Sequence, residues 1–319
     1  MRVVLVVNPK ARRVTGDALG TTRAAWEARH DVTVLPTPAR DRPDELVTAV
    51  ADADVVAVLS GDGTVNQIAN ALADHRSDAT LVPLPAGATN VAARSLGLPR
   101  DLGDANRAAL DALEAGATGR VGWGRLDERG FLCNAGIGLD ALVVQRVEAD
   151  LARKRRWGHL WFAAAAVRTV GEARATRLHC DGEPQTEACW VVALARRPYS
   201  FAGPLAIDLV DPDPPSGPDG QDGLCLLQLA PVSAPRLAWL AGQAVLGHHG
   251  IAGRPGMTAR RVTGPVTCRS AVPVPAQVDG EPVPPATSFT LDWQPDALRL
   301  LAPLRPGRSG RRARRPAGR

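Results

Sequence analysis

Residues 55–66 read VVAVLSGDGTVN, and this stretch decides the fold class. Its first five residues are apolar and mostly β-branched, which is typical of a buried strand. Gly61 and Gly63 then interrupt the apolar run, and the residues that follow suit the first turn of a helix. A strand, a glycine-rich turn and a helix in this order predict a ligand site, because open parallel sheets bind ligands at the carboxyl ends of their strands.

Each residue of this turn has a predicted role. Gly61 and Gly63 let backbone amides approach an anion without an intervening Cβ. Asp62, which we expect to face solvent, is placed to meet the metal ion that accompanies a nucleotide, and Thr64 is placed to donate its hydroxyl. An ordinary β-turn is the alternative for Gly-Asp-Gly alone. The apolar strand before the turn favours the ligand site.

Two further loops repeat the arrangement. Residues 81–90 read LVPLPAGATN and lead into a helical VAARSL, so that Thr89 and Asn90 stand at a predicted helix start. A simple N-cap is the alternative there. Asn8 and Pro9 follow the first strand in the same way. Three polar loops at three consecutive strand ends would line one edge of the sheet.

The hydrophobic pattern predicts two domains of different class. Short β-branched runs alternate with Ala-rich stretches up to about residue 118, which predicts an α/β domain with a parallel sheet. Strand-like runs between Pro/Gly clusters dominate after residue 120 and predict a mainly antiparallel β second domain. The predicted boundaries are 1–120 for the first domain, 121–296 for the second, about 297–303 for a final strand returning to the first, and 304–319 for a disordered Arg-rich tail.

Charge, cysteine spacing and the length of apolar runs argue against a zinc-binding or membrane-spanning protein. Seven arginines fall in the last fifteen residues, and removing them from the net charge of +5 leaves the rest of the chain at −2. The five cysteines are scattered without zinc-ligand spacing, which fits reduced thiols in the cytosol. No apolar run approaches the roughly 18 residues that a transmembrane helix needs. Any membrane contact is therefore expected to be peripheral.

Five ordered motifs resemble the diacylglycerol kinase catalytic-domain family, which includes sphingosine kinases and bacterial lipid kinases. They are, in chain order, Asn8-Pro9, Gly61–Thr64, Pro85–Asn90 leading into Ala93–Pro99, Phe131–Ala141, and Val278–Glu281. Ser60 departs from the family, whose Gly-Gly-Asp-Gly-Thr motif has glycine at that position. The resemblance covers about residues 1–303 and implies a two-domain lipid kinase-like fold.

The resemblance implies an ATP-dependent kinase that phosphorylates a lipid hydroxyl, with diacylglycerol or a related lipid as acceptor. The second domain would then hold the lipid. The catalytic residues implied are Asp62, near Mg²⁺, and Glu281, as the base that takes the acceptor proton. A surface hairpin turn is the alternative for Asp279–Glu281, as it is for the earlier Asp181–Glu183. The nucleotide contacts implied are Asn8, Pro9, Ser60, Gly61, Gly63, Thr64, Gly87, Thr89 and Asn90.

A second metal site and the partners also follow from the resemblance. Asp222 begins a turn like one where some bacterial members hold a structural Mg²⁺ with an oxygen such as that of Asp219, and an ordinary turn is the simpler interpretation. The expected partners are a lipid substrate at a membrane surface and anionic headgroups that bind the Arg-rich tail. A homodimer remains open. We therefore predict a cytoplasmic protein that is peripherally associated with the inner face of the membrane.

Two other functions compete with the lipid kinase. NAD kinases also use Gly-Gly-Asp-Gly-Thr in a related fold, but the late Glu281 and the run from Asn90 into Ala-Ala-Arg favour the lipid kinase. An arginine-tailed nucleic-acid-binding protein would explain the tail. The rest of the chain, however, is nearly neutral and has one Tyr, four Phe and no nucleic-acid-binding motif. We therefore expect no specific nucleic-acid partner.

Overall fold

The structure is a computed structural model that describes most of both predicted domains. The described residues are 1–11, 13–37, 50, 52–149, 177–182, 187–197, 199–202, 205–207, 209–210, 223–233, 235–236, 239–240, 243 and 254–302. The predicted metal ligands Asp219 and Asp222, and the Arg-rich tail, lie outside these residues. They therefore stay predictions.

Sixteen strands are described, and fourteen of them belong to one sheet. In the first half of the chain they are β1 (Arg2–Val7), β2 (Asp31–Pro36), β3 (Val55–Ser60), β4 (Thr80–Pro85), β5 (Thr118–Leu126), β6 (Arg129–Phe131) and β7 (Asn134–Gly138). The later strands are β8 (Leu178–Cys180), β9 (Glu187–Ala188), β10 (Trp190–Leu194), β11 (Ser200–Ala202), β12 (Leu205–Ile207), β13 (Leu224–Leu229), β14 (Met257–Val262), β15 (Val266–Val278) and β16 (Glu281–Leu301).

Five helices have bounds within the described residues. They are α1 (Gly16–Glu27), α2 (Asp62–Asp74), α3 (Val91–Ser95), α4 (Leu102–Glu114) and α5 (Leu139–Ala149). The helices α2 and α3 each begin directly after a strand, as the two glycine-containing loops predict. None of the helices in the described ranges is both long and apolar enough to cross a bilayer.

The first half of the sheet is parallel, with strand order β2-β1-β3-β4. Every residue of β3 and β4 is buried. Continuous burial explains the unbroken apolar runs of the sequence, because a parallel strand covered on both faces does not alternate with polar residues. The carboxyl ends of β1, β3 and β4 consequently meet at one edge, and the three polar loops follow there.

The second half is antiparallel, with strand order β14-β13-β10-β7-β15-β16. The long strand β16 belongs to both halves, because its last residues Arg299 and Leu300 pair in parallel with β4. The predicted boundary at residue 120 falls inside β5, which pairs with β16. The predicted fold class, a parallel α/β domain followed by a mainly antiparallel β domain, is confirmed.

The pairing of β8 with β15 joins two cysteines that the sequence did not connect. Cys180 and Cys268 stand opposite each other in register and form a disulfide across 88 residues of chain. This differs from the expectation of reduced thiols, since disulfides are rare in cytosolic proteins. Cysteine spacing missed the pair because only the strand register brings the two residues together.

Candidate active site

The loops after β1, β3 and β4 contact one another at the carboxyl edge of the parallel strands. The Asn8 side chain donates to the Thr64 hydroxyl at 3.2 Å, which joins the first loop to the second. The Arg13 backbone N–H donates to the Ala86 carbonyl at 3.1 Å, which joins the first loop to the third. The three polar loops therefore lie side by side along one sheet edge, as the sequence predicts.

The backbones of the second and third loops touch without any side chain between them. A Cβ built on Gly87 would lie 2.5 Å from the Cα of Gly61, a distance that real Cβ atoms do not reach. The Asn90 side chain holds the third loop in shape, because it accepts from the Gly87 N–H at 2.7 Å and donates to the Gly87 carbonyl at 3.1 Å. Both glycines therefore allow the two loops to pack backbone against backbone.

Ser60 lies behind Thr64 and does not face the loop edge. Its side chain is buried, at 2% exposure, and its hydroxyl contacts the Thr64 hydroxyl at 2.9 Å. The resemblance implies that Ser60 contacts the nucleotide. The Ser60 side chain instead contacts Thr64, so its effect on a ligand would pass through the Thr64 hydroxyl. Pro9 and Thr89, two other predicted contacts, are exposed beside the loops.

Asp62 does not project freely into solvent, contrary to the sequence expectation. It is half-buried, and its Oδ1 accepts a hydrogen bond from the Ala92 backbone N–H at 3.1 Å. Burial raises the pKa of Asp62, and hydrogen bonds from the backbone N–H groups of Ala92, Val91 and Asn90 oppose that rise. The Asp62 carboxylate therefore caps the start of α3, where the side chain of Asn90 makes no capping hydrogen bond.

Glu281 reaches the glycine-rich turn from the second half of the chain. Asp279 and Gly280 form the turn between β15 and β16, and Glu281 is the first residue of β16. A Cβ built on Gly63 would lie 2.2 Å from the Glu281 Oε1, so the carboxylate packs against the space that this glycine leaves open. Asp279–Glu281 therefore forms a hairpin turn that also brings Glu281 to the glycine-rich turn, and the catalytic role of Glu281 stays a prediction.

Arg129, which the sequence did not single out, fixes the other oxygen of Glu281. Its guanidinium donates to the Glu281 Oε2 at 2.6 Å from the neighbouring strand β6. The carboxylate thus has one oxygen held by a cation and the other directed at Gly63. No sequence signal could have paired the two residues, which are 152 positions apart.

Asp279 ties the two halves of the chain together beside Glu281. Its carboxylate accepts from the backbone N–H groups of Leu132, Cys133 and Asn134 at 2.8, 2.9 and 3.0 Å. It also accepts from the Asn66 side chain of α2 at 2.9 Å. Burial raises the pKa of Asp279, and these donors oppose the rise by stabilising the charged form. Asp279 belongs to the Val278–Glu281 motif, but the sequence pattern predicts no separate role for it.

A second layer of polar side chains supports the turn that precedes Glu281. Gln277, which is 2% exposed, donates to the Asn134 Oδ1 at 2.8 Å and accepts from the Gly280 N–H at 2.6 Å. Gln277 and the Tyr199 hydroxyl both donate to the buried carboxylate of Asp140. Burial raises the pKa of Asp140, whereas these two hydrogen bonds lower it.

Asp140→Asn should change how stability depends on pH. Because the pKa of Asp140 is raised in the folded state, the folded chain binds this proton more tightly than the unfolded chain, whose Asp pKa is about 3.9. Stability from this group is therefore lost as pH rises from about 4 through the raised pKa, and is constant above it. Urea unfolding from pH 4 to 8 should show the wild type losing unfolding free energy relative to Asp140→Asn. A wild type that gains relative stability with pH would contradict this.

The earlier Asp-Gly-Glu sequence lies in a different environment. Asp181 follows β8 and pairs with Arg269 at 2.8 Å, and both side chains are more than half exposed. Glu183 lies outside the described residues. The described part of this element therefore makes the surface turn that the sequence predicts.

Residues 2–126 match the family model described as the diacylglycerol kinase catalytic domain. The matched residues, which are less than half of the chain, are similar to that domain. A diacylglycerol kinase from Bacillus subtilis (strain 168) is 36% identical over 133 residues, which are 42% of this chain and 42% of the relative. One from Staphylococcus carnosus (strain TM300) is 31% identical over 81 residues, 25% of each chain. These matches confirm the predicted resemblance, and the chain spans less than half the length of the curated relatives it matches.

Two solved structures of proteins from Bacillus anthracis str. Sterne share the fold over nearly the whole chain. One has a TM-score of 0.72 and 17% identity, and covers 94% of this chain and 97% of its own. The other, described as a diacylglycerol kinase, has a TM-score of 0.66 and 15% identity, and covers 94% and 96%. At this low identity the two structures show a shared fold and nothing more. The shared fold includes the second half of the chain, which the family model does not match.

The carboxylates at the site suit a magnesium ion that arrives with a nucleotide. Within the described ranges no group of three or more His, Cys, Asp or Glu side chains is arranged to hold a metal ion. A nucleotide-bound Mg²⁺ needs only one or two protein carboxylates, because phosphate oxygens and water complete its octahedron. The Asp62 carboxylate, which borders Gly63, can supply one such contact.

Proposed function

We propose that this protein is an ATP-dependent lipid kinase that transfers the γ-phosphoryl group to a lipid hydroxyl, on diacylglycerol or a related lipid. One observation carries the proposal: the Glu281 carboxylate of the second half lies against Gly63 of the glycine-rich turn. Transfer between two substrates requires that both be held at the same point. Here a nucleotide-binding loop of the first domain would meet a base from the second domain.

The loop edge supports binding of the ATP phosphates. Backbone amides at Gly61 and Gly63 would cradle the phosphate oxygens, and the Thr64 hydroxyl would donate to them. Asn8 orients that hydroxyl through its 3.2 Å contact. Asp62 would hold Mg²⁺, whose chemistry in such a site is to neutralise the charge on the transferred phosphoryl group.

Glu281 would remove the proton of the acceptor hydroxyl. A lipid alcohol ionises far above neutral pH, so a carboxylate must accept its proton as the new P–O bond forms. Arg129 holds Oε2, and Oε1 faces Gly63, which makes Oε1 the proton acceptor. The acceptor hydroxyl would then lie between Oε1 and the γ-phosphate.

Gly87→Ala should weaken ATP binding by about 10–100-fold. Its Cβ would lie 2.5 Å from the Gly61 Cα, so two backbone loops must separate, and strain of this kind typically costs about 1–3 kcal/mol. Calorimetric titration with a non-hydrolysable ATP analogue measures the affinity. Gly20→Ala on α1 is the matched control, because nothing lies within 4 Å of its Cβ. Equal affinity in both variants would remove the third loop from the nucleotide site.

The test of the proposal is phosphoryl transfer by the purified protein. Labelled ATP and Mg²⁺ are supplied with diacylglycerol, a sphingoid base, a polyprenol, a glycolipid and NAD in separate reactions. Label in any lipid supports the proposal and identifies the acceptor class. Label in NAD alone would replace the lipid kinase with an NAD kinase, and label in none would remove the kinase proposal.

A further inference from the structure

One continuous part of the second domain carries positive charge without any acid. Residues 223–278 contain five arginines, two histidines and no Asp or Glu. Residues 1–304 have a net charge of −2, so the remainder of the folded chain is clearly acidic by comparison. This segment includes the edge strand β14. The net charge of this segment is therefore opposite in sign to that of the rest of residues 1–304.

An exposed tryptophan lies within this basic segment. Trp239 is 39% exposed, and the only other large hydrophobic residues exposed in the described ranges are Met1 and Val272. The Arg236 guanidinium carbon lies 4.5 Å from the centre of the Trp239 ring, and that of Arg254 lies 5.2 Å from it. Two cations thus flank one solvent-facing indole.

The neighbouring residues attach this cluster to the sheet. Leu240, next to Trp239, is 3% exposed and packs in the same apolar core as Met257, the first residue of β14. The Arg254 carbonyl accepts a hydrogen bond from the Met257 N–H at 2.9 Å, directly before that edge strand. The outward direction of Trp239 is therefore set by packing beneath it.

We propose that Arg236, Trp239 and Arg254 form a docking surface for an anionic phospholipid bilayer. Indole rings concentrate at the membrane interface, where their apolar body and their N–H are both accommodated. Guanidinium groups that stack on the ring keep their in-plane N–H donors directed outward, and these match phosphate oxygens. The inference rests on the proposed function only in that a lipid acceptor brings the protein to a bilayer.

The surface is distinct from the Arg-rich tail, which is the other predicted contact with anionic lipid. The tail would attract a membrane through charge alone and in any orientation. The Arg236–Trp239–Arg254 surface is fixed on the second domain, the half that supplies Glu281. It would consequently hold the acceptor-binding half of the protein against the bilayer.

Sedimentation with vesicles tests the surface in the full chain. The vesicles contain phosphatidylglycerol and phosphatidylcholine in equal parts, or phosphatidylcholine alone. Attraction of about 1 kcal/mol per arginine predicts roughly 30-fold weaker partitioning of the double variant Arg236→Gln, Arg254→Gln into the anionic vesicles. Trp239→Ala should weaken partitioning several-fold. Thermal melting of each variant separates this effect from a loss of folding.

The matched control is the double variant Arg23→Gln, Arg107→Gln, which removes the same charge from exposed positions on α1 and α4. It should partition like the wild type. The docking surface is overturned if the two double variants bind anionic vesicles equally, or if the Arg236/Arg254 variant loses affinity for duplex DNA and not for vesicles. An Arg236→Lys, Arg254→Lys variant keeps the charge but loses the planar donors, so it should recover only part of the binding.

Turnover on a short-chain, water-soluble lipid separates this proposal from the proposed function. The docking variants should keep wild-type turnover on that acceptor, because no bilayer is involved. Loss of turnover there would mean that the cluster acts on the fold or the site, and would overturn docking. A wild type without any lipid kinase activity, combined with the expected loss of vesicle binding, would leave the surface standing and remove the kinase.

Discussion

Glu281→Gln is expected to lower turnover by roughly 10²–10⁴-fold, the usual size of a general-base contribution. Glutamine keeps the shape of the side chain and can still accept from Arg129, which contacts Oε2 at 2.6 Å in the wild type. It cannot take the proton of the acceptor hydroxyl. ATP affinity should change little, because this side chain meets the acceptor and not the nucleotide. Steady-state turnover and calorimetric ATP titration measure the two effects separately.

The chain contains its own control for this prediction. Glu183→Gln alters the earlier Asp-Gly-Glu sequence, whose Asp181 forms an exposed ion pair with Arg269. That variant should behave like the wild type. Equal, modest losses at both positions would mean that neither glutamate is the base. Asp62 would then be the first residue to consider in that role.

Asp62→Asn is expected to lower turnover by at least about 10²–10³-fold, in line with the loss of one electrostatic contact to the reacting groups. It should change stability by no more than about 1 kcal/mol, because the asparagine Oδ1 can still accept from the Ala92 N–H at the start of α3. This second effect follows from the 3.1 Å contact with the Ala92 N–H. Activity must therefore be measured at a temperature where urea titration shows the variant folded.

A second capping aspartate separates the two effects of Asp62→Asn. Asp101 caps α4 by accepting from the Asp104 N–H at 3.0 Å, and it takes no part in the loop edge. Asp101→Asn should leave turnover unchanged, since asparagine is also a good N-cap. Near-normal turnover of folded Asp62→Asn would exclude Asp62 from the metal site and leave it a purely structural cap.

Local sequence predicted the nucleotide edge well because each of its parts is encoded within a few residues. A buried strand needs a continuous apolar run, and the glycines of residues 61–63 must follow it directly. The parallel pairing of β1, β3 and β4 then places their loops side by side. The roles within the edge were less predictable, and Ser60 and Asp62 both turned out to contact protein groups.

The sequence by itself determined the two-domain fold class, the family resemblance of residues 2–126 and the loops at the sheet edge, because hydrophobic period and glycine placement act over short distances. Only the tertiary structure decided what meets those loops. Arg129 reaches Glu281 across 152 residues, Asp279 reaches Asn66 across 213, and Cys180 reaches Cys268 across 88. Neighbouring strands of this sheet come from distant parts of the chain. A local sequence pattern does not specify which strands pair or in which register, so it cannot predict such contacts.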